Sequence, residues 1–200
     1  MVGIEDLPGV LVAIAAGDRQ AVMASLAAAP VLATARLSRR DEFFVAERAA
    51  QVYEGDTALH AAAFSYDVGI ARELVARGAD VHAGNRRGAQ PLHAAVIGVP
   101  GTSHWNPAAQ RAVIEYLVHA GADPNAVASG GVTPLHRAVR NRCSGAVDAL
   151  LRAGADPHAR NDNGSTPADL ARWTTGRGGT GSAAAKAEQR IIMELLDITD

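Results

Sequence analysis

Asp56-Thr57-Ala58-Leu59-His60-Ala61-Ala62 is the stretch that decides the fold, because the chain repeats it. It returns as Ala89-Gln90-Pro91-Leu92-His93-Ala94-Ala95, as Val132-Thr133-Pro134-Leu135-His136-Arg137-Ala138, and in degraded form as Ser165-Thr166-Pro167-Ala168-Asp169-Leu170-Ala171. Leu59, Leu92, Leu135 and Ala168 stand 33, 43 and 33 residues apart. Gly55, Gly88, Gly131 and Gly164 keep the same steps of 33, 43 and 33, and Gly78-Ala79-Asp80, Gly121-Ala122-Asp123 and Gly154-Ala155-Asp156 follow at 43 and 33. Self-similarity at a fixed period of this size marks a stacked repeat architecture.

Each unit has a physical logic. Thr caps a helix through its hydroxyl, Pro takes the first helical position where its missing N–H costs nothing, and Gly ends a second helix in the left-handed conformation. Between these marks, Ile70, Leu74 and Val75 recur at helical spacing, as do Val113, Ile114, Leu117 and Val118, and then Val147, Leu150 and Leu151. These stripes predict the core faces of the second helices. The alanines of the first helices let neighbours approach closely, so a continuous core forms only when units stack.

The Thr-Pro-Leu-His and Gly-Ala-Asp signatures resemble the ankyrin repeat, over residues 56–172 above all. The resemblance implies an all-α repeat solenoid of about five units. Each would hold two antiparallel helices, with a β-hairpin finger projecting between units. It also implies that ligands, in this family other proteins, bind mainly to finger tips and first helices. The expected division is a degenerate N-terminal cap repeat (1–37), an inserted helix (38–54), repeats at 55–87, 88–130 and 131–163, and a C-terminal cap repeat (164–200). Residues 98–107 make a long inter-helix loop in the third unit, and residues 174–182 a Gly-rich loop in the last.

The ends carry weaker signals. Ala13-Ile14-Ala15-Ala16-Gly17-Asp18, followed by Val22 and Leu26, reads as a cap whose finger is missing. Val45, Ala49, Val52 and Tyr53 fall at i, i+4, i+7 and i+8, which predicts a helix over 41–52. Ile191, Ile192, Leu195 and Leu196 give a closing helix its apolar face, with Lys186, Gln189 and Arg190 on the wet side.

Composition narrows function. Two hundred residues, 48% of them apolar, suit one domain. A net charge of −2 argues against nucleic acid, which calls for a basic stripe to displace counterions. Cys143 is the sole cysteine, so neither an intramolecular disulfide nor a cysteine zinc site is expected, and a cytoplasmic setting fits. The apolar run from Gly9 to Ala16 follows Glu5 and Asp6 rather than a basic segment, and reads as a buried helix rather than a signal peptide. No stretch approaches the roughly 20 apolar residues that span a bilayer. A monomer is expected, and the Ala, Arg and Gly bias resembles that of GC-rich bacteria.

No catalytic constellation emerges, and no metal or cofactor is expected. His60, His93 and His136 occupy one position in three units, and the resemblance gives them structural hydrogen bonds. His82 and His158 match each other after Gly-Ala-Asp. Ser144 and Cys143 lack a base and orienter. Gly176-Arg177-Gly178-Gly179-Thr180-Gly181 satisfies the spelling of a dinucleotide loop, but a helix precedes it where a strand belongs. A small ligand or nucleotide at 174–182 is the alternative reading, and a self-associating structural role is another.

A binding surface is to be sought where units differ, since what repeats is explained by the fold. The finger tips hold Arg86 and Arg87, then Ser129 and Gly130, then Asp162 and Asn163. Beyond each marker glycine stand Asp56, Ala89, Val132 and Ser165. Near the ends of the first helices stand Phe64 with Ser65, Ile97, Arg140 with Asn141, and Trp173. The resemblance turns these toward a concave face. Both long loops leave the edge opposite the fingers, and Trp105 in the first is either a contact residue or tucked over Ile97 and Val113. Arg and aromatic residues most often carry interface energy, so Arg86, Arg87, Phe64, Arg140 and Trp173 lead the candidates.

Overall fold

The computed structural model of the chain describes residues 6–45, 50–173 and 182–198. Among the described residues five helix pairs follow one another: α1 (Leu7–Ala16) and α2 (Arg19–Ala28), α3 (Ala58–Phe64) and α4 (Val68–Ala76), α5 (Pro91–Ala95) and α6 (Pro107–His119), α7 (Pro134–Arg140) and α8 (Ser144–Arg152), α9 (Pro167–Trp173) and α10 (Ala183–Leu195). A two-stranded antiparallel hairpin, β1 (Phe43–Val45) and β2 (Ala50–Val52), lies between the first and second pairs. The first helices α1, α3, α5, α7 and α9 pack in sequence as an inner row, and α4, α6, α8 and α10 back them as an outer row. The architecture is an all-α repeat solenoid.

Capping chemistry sets the helix starts. Thr57 and Thr133 accept the backbone N–H of His60 and His136 on their hydroxyls, each at 3.4 Å. Pro91 and Pro134 stand at first helical positions. Among the second helices, Asp18, Asp67, Asn106 and Ser182 cap through side-chain oxygens. Cys143 supplies no such oxygen before α8, and Glu188 reaches over from α10 to accept the Ser144 N–H at 2.9 Å. At the far ends, α4, α6 and α8 close with one and the same turn. Gly121, for example, at φ 103°, donates to Val118 O while Ala122 donates to Leu117 O, both at 2.9 Å.

The core runs the length of the stack. Ile70, Leu74, Val113, Ile114, Leu117, Val147 and Leu150 are fully buried, each large apolar side chain contributing about 1.5–3 kcal/mol relative to exposure. Val75, Val118 and Leu151 lie at its margin. Ala58, Ala62, Ala63, Ala95 and Ala138 fill the inner row where helices meet. Leu7, Val10, Leu11, Ile14, Val22 and Leu26 close the first end.

Three expectations are corrected. Where a helix was expected over 41–52, the chain forms β1 and β2, with Phe43 opposite Val52. Phe43 and Val52 turn toward the core and Phe44 is 58% exposed, a two-residue alternation that prevails over the helical spacing of Val45, Val52 and Tyr53; Ala49 lies outside the described residues. Nor is the first finger missing. Leu37 donates to Asp56 O at 2.8 Å, as Asn85 donates to Ala89 O at 3.0 Å, so residues 38–55 stand where 86–88 stand in the next finger. The inserted segment is an enlarged finger. Finally, Gln189 is buried and donates through Nε2 to Ala171 O, while Ile191 is 43% exposed, so the buried face of α10 is rotated from the expected one.

The remaining fingers are tight turns rather than strand pairs, with one isolated bridge between Ala128 and Val132. Asn85 and Asn161 hold their turns alike, each Oδ1 accepting two backbone N–H groups. Each finger bonds the next: Arg86 N to Glu54 O, Ser129 N to Arg87 O and Asp162 N to Gly130 O, at 2.8, 2.8 and 3.0 Å.

Candidate functional site

The repeated histidines tie the inner row together. Each Nδ1 accepts a backbone N–H at its own helix start, from Thr57, Gln90 or Thr133, at 3.2–3.3 Å. An Nδ1 that accepts leaves the proton on Nε2. That nitrogen donates to a carbonyl of the next unit, from His60 to Ala89, from His93 to Val132 and from His136 to Ser165, at 3.0–3.1 Å. Burial pushes all three below the usual histidine range, His93 to about 4 with Arg137 adding repulsion. Neutral and doubly bonded, they are unsuited to ligate a metal, and no group of three His, Cys, Asp or Glu side chains among the described residues is placed to hold one. Cys143 is buried, and its thiol is pushed up to about 12, far from a reactive thiolate.

Against the inner row lies a hollow of about 480 Å³. Its floor is Leu11 and Ala15 of α1, Ala61 and Phe64 of α3, and Ala94 of α5. On the finger side rise Gln51, Val52 and Tyr53, from β2 and the residue after it; on the opposite side rise Val99, Thr102, His104 and Trp105 of the long loop. Both walls are insertions relative to the regular repeat.

The long loop is fixed. Trp105 donates through Nε1 to Gln110 Oε1 at 3.1 Å, and the buried Gln110 amide donates to Ala95 O at 3.0 Å and to the Tyr66 hydroxyl at 3.4 Å. Tyr66 in turn donates to Ile97 O. Trp105 lies half-buried across Gly98, where an added Cβ would come within 2.7 Å of the indole. Ser182 Oγ, at the start of α10, bonds Pro100 O at 3.4 Å.

Toward the fingers the hollow continues into a second one of about 250 Å³, lined by Tyr53, Asn85, Arg87, Ala89, Ile97, Arg137, Arg140 and Asn141. Arg86 and Arg87 stack on the Tyr53 ring, 4.9 and 4.6 Å from its centre. Arg86 also pairs with Glu42, whose carboxyl is held below its usual range by the Glu54 N–H and by Arg86 itself. This pairing fastens the hairpin to the next finger.

Of the residues chosen from sequence, Asp56, Phe64, Ser65, Ala89, Ile97 and Trp105 line the larger hollow, and Arg87, Arg140 and Asn141 the smaller. Asp56 is buried there, accepting from Tyr53 N and the Asn85 amide at 2.8 and 2.9 Å. Val132 is half-buried, its carbonyl accepting from His93. Asp162 and Asn163 are exposed two fingers away and join neither hollow. The Trp173 side chain and the Gly-rich segment 174–181 lie outside the described residues. Tyr53, Arg137, Gln110 and Glu42 were not anticipated. Arg137 had a signal: it stands where two other units carry Ala61 and Ala94.

A family model described as ankyrin repeats (3 copies) matches residues 13–128, more than half of the chain, and one described as ankyrin repeats (many copies) matches 117–171. The chain belongs to the ankyrin-repeat family. No curated protein matches it. Ankyrin repeats are generally protein–protein interaction modules and typically non-catalytic. Among the described residues no helix is long and apolar enough to cross a membrane.

Proposed function

We propose that this ankyrin-repeat chain is a non-catalytic protein-binding module that scaffolds or inhibits a partner held on its concave inner face, between the enlarged first finger and the long third-unit loop. The observation that carries the reading is the larger hollow itself. It is mainly apolar, its walls are the two insertions that depart from the repeat, and both walls are anchored, by Glu42 on one side and by Trp105, Gln110 and Tyr66 on the other. Pre-ordered walls lessen the entropy that binding must overcome. A buried single thiol and the absence of any required disulfide accord with a cytoplasmic setting, and a monomer accords with an inner face left open for another protein.

Phe64 is the test residue, half-buried at the end of α3 and lining the hollow. Truncation of a true interface anchor costs about 2 kcal/mol or more, roughly 30-fold in affinity. In quantitative capture from lysate of the source organism, Phe64→Asp should lose the proteins retained by the wild-type chain while its circular dichroism is unchanged. Equal retention by the folded variant would refute the inner face as the binding surface.

A further inference from the structure

Three arginines of the smaller hollow form no ion pair among the described residues. Arg36, Arg77, Arg86, Arg111 and Arg152 each pair with a carboxylate, whereas Arg87, Arg137 and Arg140 have none within 4.0 Å among the described residues. Arg87 rises from the second finger, and Arg137 and Arg140 lie one turn apart on α7. Arg137 is the most constrained. It is half-buried, donates to His93 O at 3.1 Å, and is held down to about 10 by burial and by the charges of Arg140 and Arg87. Gathering like charges beside partly desolvated surface is unfavourable unless an anion arrives to share them. Asp56 is the carboxylate whose charge reaches Arg137, but it forms no ion pair with it and is already engaged by Tyr53 N and the Asn85 amide.

The cationic cluster is continuous with the apolar hollow, since Tyr53, Asn85, Ala89, Ile97 and Arg137 line both. We propose that the occupant is a peptide segment of the partner protein that seats a carboxylate among Arg87, Arg137 and Arg140 and lays an adjacent large apolar side chain over Phe64 and Ile97. This specifies the chemistry of the protein-binding reading and rests on it. A guanidinium presents a planar fork that carboxylates match in pairs, which makes the cluster selective for Asp or Glu over neutral residues. A single nucleic-acid strand also offers anions. The observations favour a peptide, because the greater part of the hollow is apolar and the Tyr53 ring, which would otherwise stack a base, already carries Arg86 and Arg87.

Display of random dodecapeptides on the full chain tests the assignment. Enriched sequences should pair Asp or Glu with a nearby Phe, Trp, Leu or Met. A fluorescein-labelled enriched peptide should bind the wild-type chain, bind more weakly as ionic strength rises, and lose about tenfold or more in affinity against Arg87→Glu/Arg140→Glu. The conservative Arg87→Lys/Arg140→Lys should restore part of that loss. Both substituted side chains are exposed and neither forms an ion pair, Arg87 giving up only its stacking on Tyr53, so the fold should be kept, as circular dichroism would check. Four results would overturn the proposal: no enrichment, enrichment of neutral or basic peptides, acidic peptides that bind the double Glu variant equally well, or single-stranded DNA binding that depends on both arginines without any peptide enrichment. A lysate partner retained through Phe64 yet indifferent to Arg87 and Arg140 would leave the protein-binding reading standing and remove only the acidic segment.

Discussion

Lowering the pH from 7 toward 4 should cost the fold about 3 kcal/mol through His93 alone. Its imidazole is pushed down to about 4 in the folded chain from about 6.5 in a free histidine, a gap of roughly 2.5 at about 1.4 kcal/mol per pH unit, of which about 3 kcal/mol is lost by pH 4, where half the folded imidazoles are protonated. Between those two values the unfolded chain takes up a proton that the folded chain refuses. The stabilising contribution is therefore whole above about 6.5 and is lost as the pH falls through about 4. His60 and His136 are shifted the same way, so the loss is shared by three inter-unit joints. Burial drives the shift in each. Arg137 and His60 reinforce it at His93, whereas Asp56, 3.7 Å from the His60 Nε2, opposes it there. Urea melts at steps of pH would measure the slope, and His93→Gln should flatten it while lowering stability at pH 7. A slope unaltered by that substitution would show that His93 does not govern it.

Gly131→Ala should destabilise the protein by about 3 kcal/mol, and unevenly. Gly131 holds φ 69°, a region costing other residues roughly 1–2 kcal/mol, and an added Cβ would meet Asp162 N at 2.6 Å and Asn161 Cα at 2.9 Å. Both neighbours belong to the next finger, whose Asp162 N–H bonds Gly130 O. The backbone has to move, and the joint between the third and fourth fingers opens. Because repeat stacks are stabilised between neighbours, hydrogen exchange should rise most in α7 to α10 and least in α3 and α4. A uniform loss across the chain would contradict a stack held joint by joint.

What the sequence made legible was whatever obeyed the period. The helix pairs, the core stripes from Ile70 to Leu150 and the structural use of His60, His93 and His136 all follow from repetition, since one local solution is used several times. What escaped it was what departs from the period. Phe43 and Val52 are apolar at positions that suit a strand as well as a helix, and only the closure of Leu37 on Asp56, across nearly twenty intervening residues, decides between them. In the Trp105, Gln110 and Tyr66 network the first two are five residues apart, but Tyr66 joins them from 44 residues away, a separation that no local spacing reports. For the hollow, comparing units position by position brought out Phe64, Ile97, Arg87 and Arg140. It passed over Arg137, which sits inside the repeated signature, and Tyr53, which follows the segment expected as a helix and found as a hairpin.

The N-cap of α5 shows the same limit from the other side. Gln90 stands where Thr57 and Thr133 cap their helices, and its Oε1 is buried without a hydrogen-bond partner among the described residues. The period made the position plain, but not the loss that follows from filling it with an amide.

A partner held on the inner face between the two insertions should shield that face from solvent. Hydrogen exchange of the chain alone and saturated with a captured partner tests it most directly. Protection should appear at residues 51–53, 61–66, 86–89, 97–105 and 137–141, with α4, α6 and α8 little changed. Protection centred on the outer helices, with residues 97–105 as they were in the free chain, would contradict it.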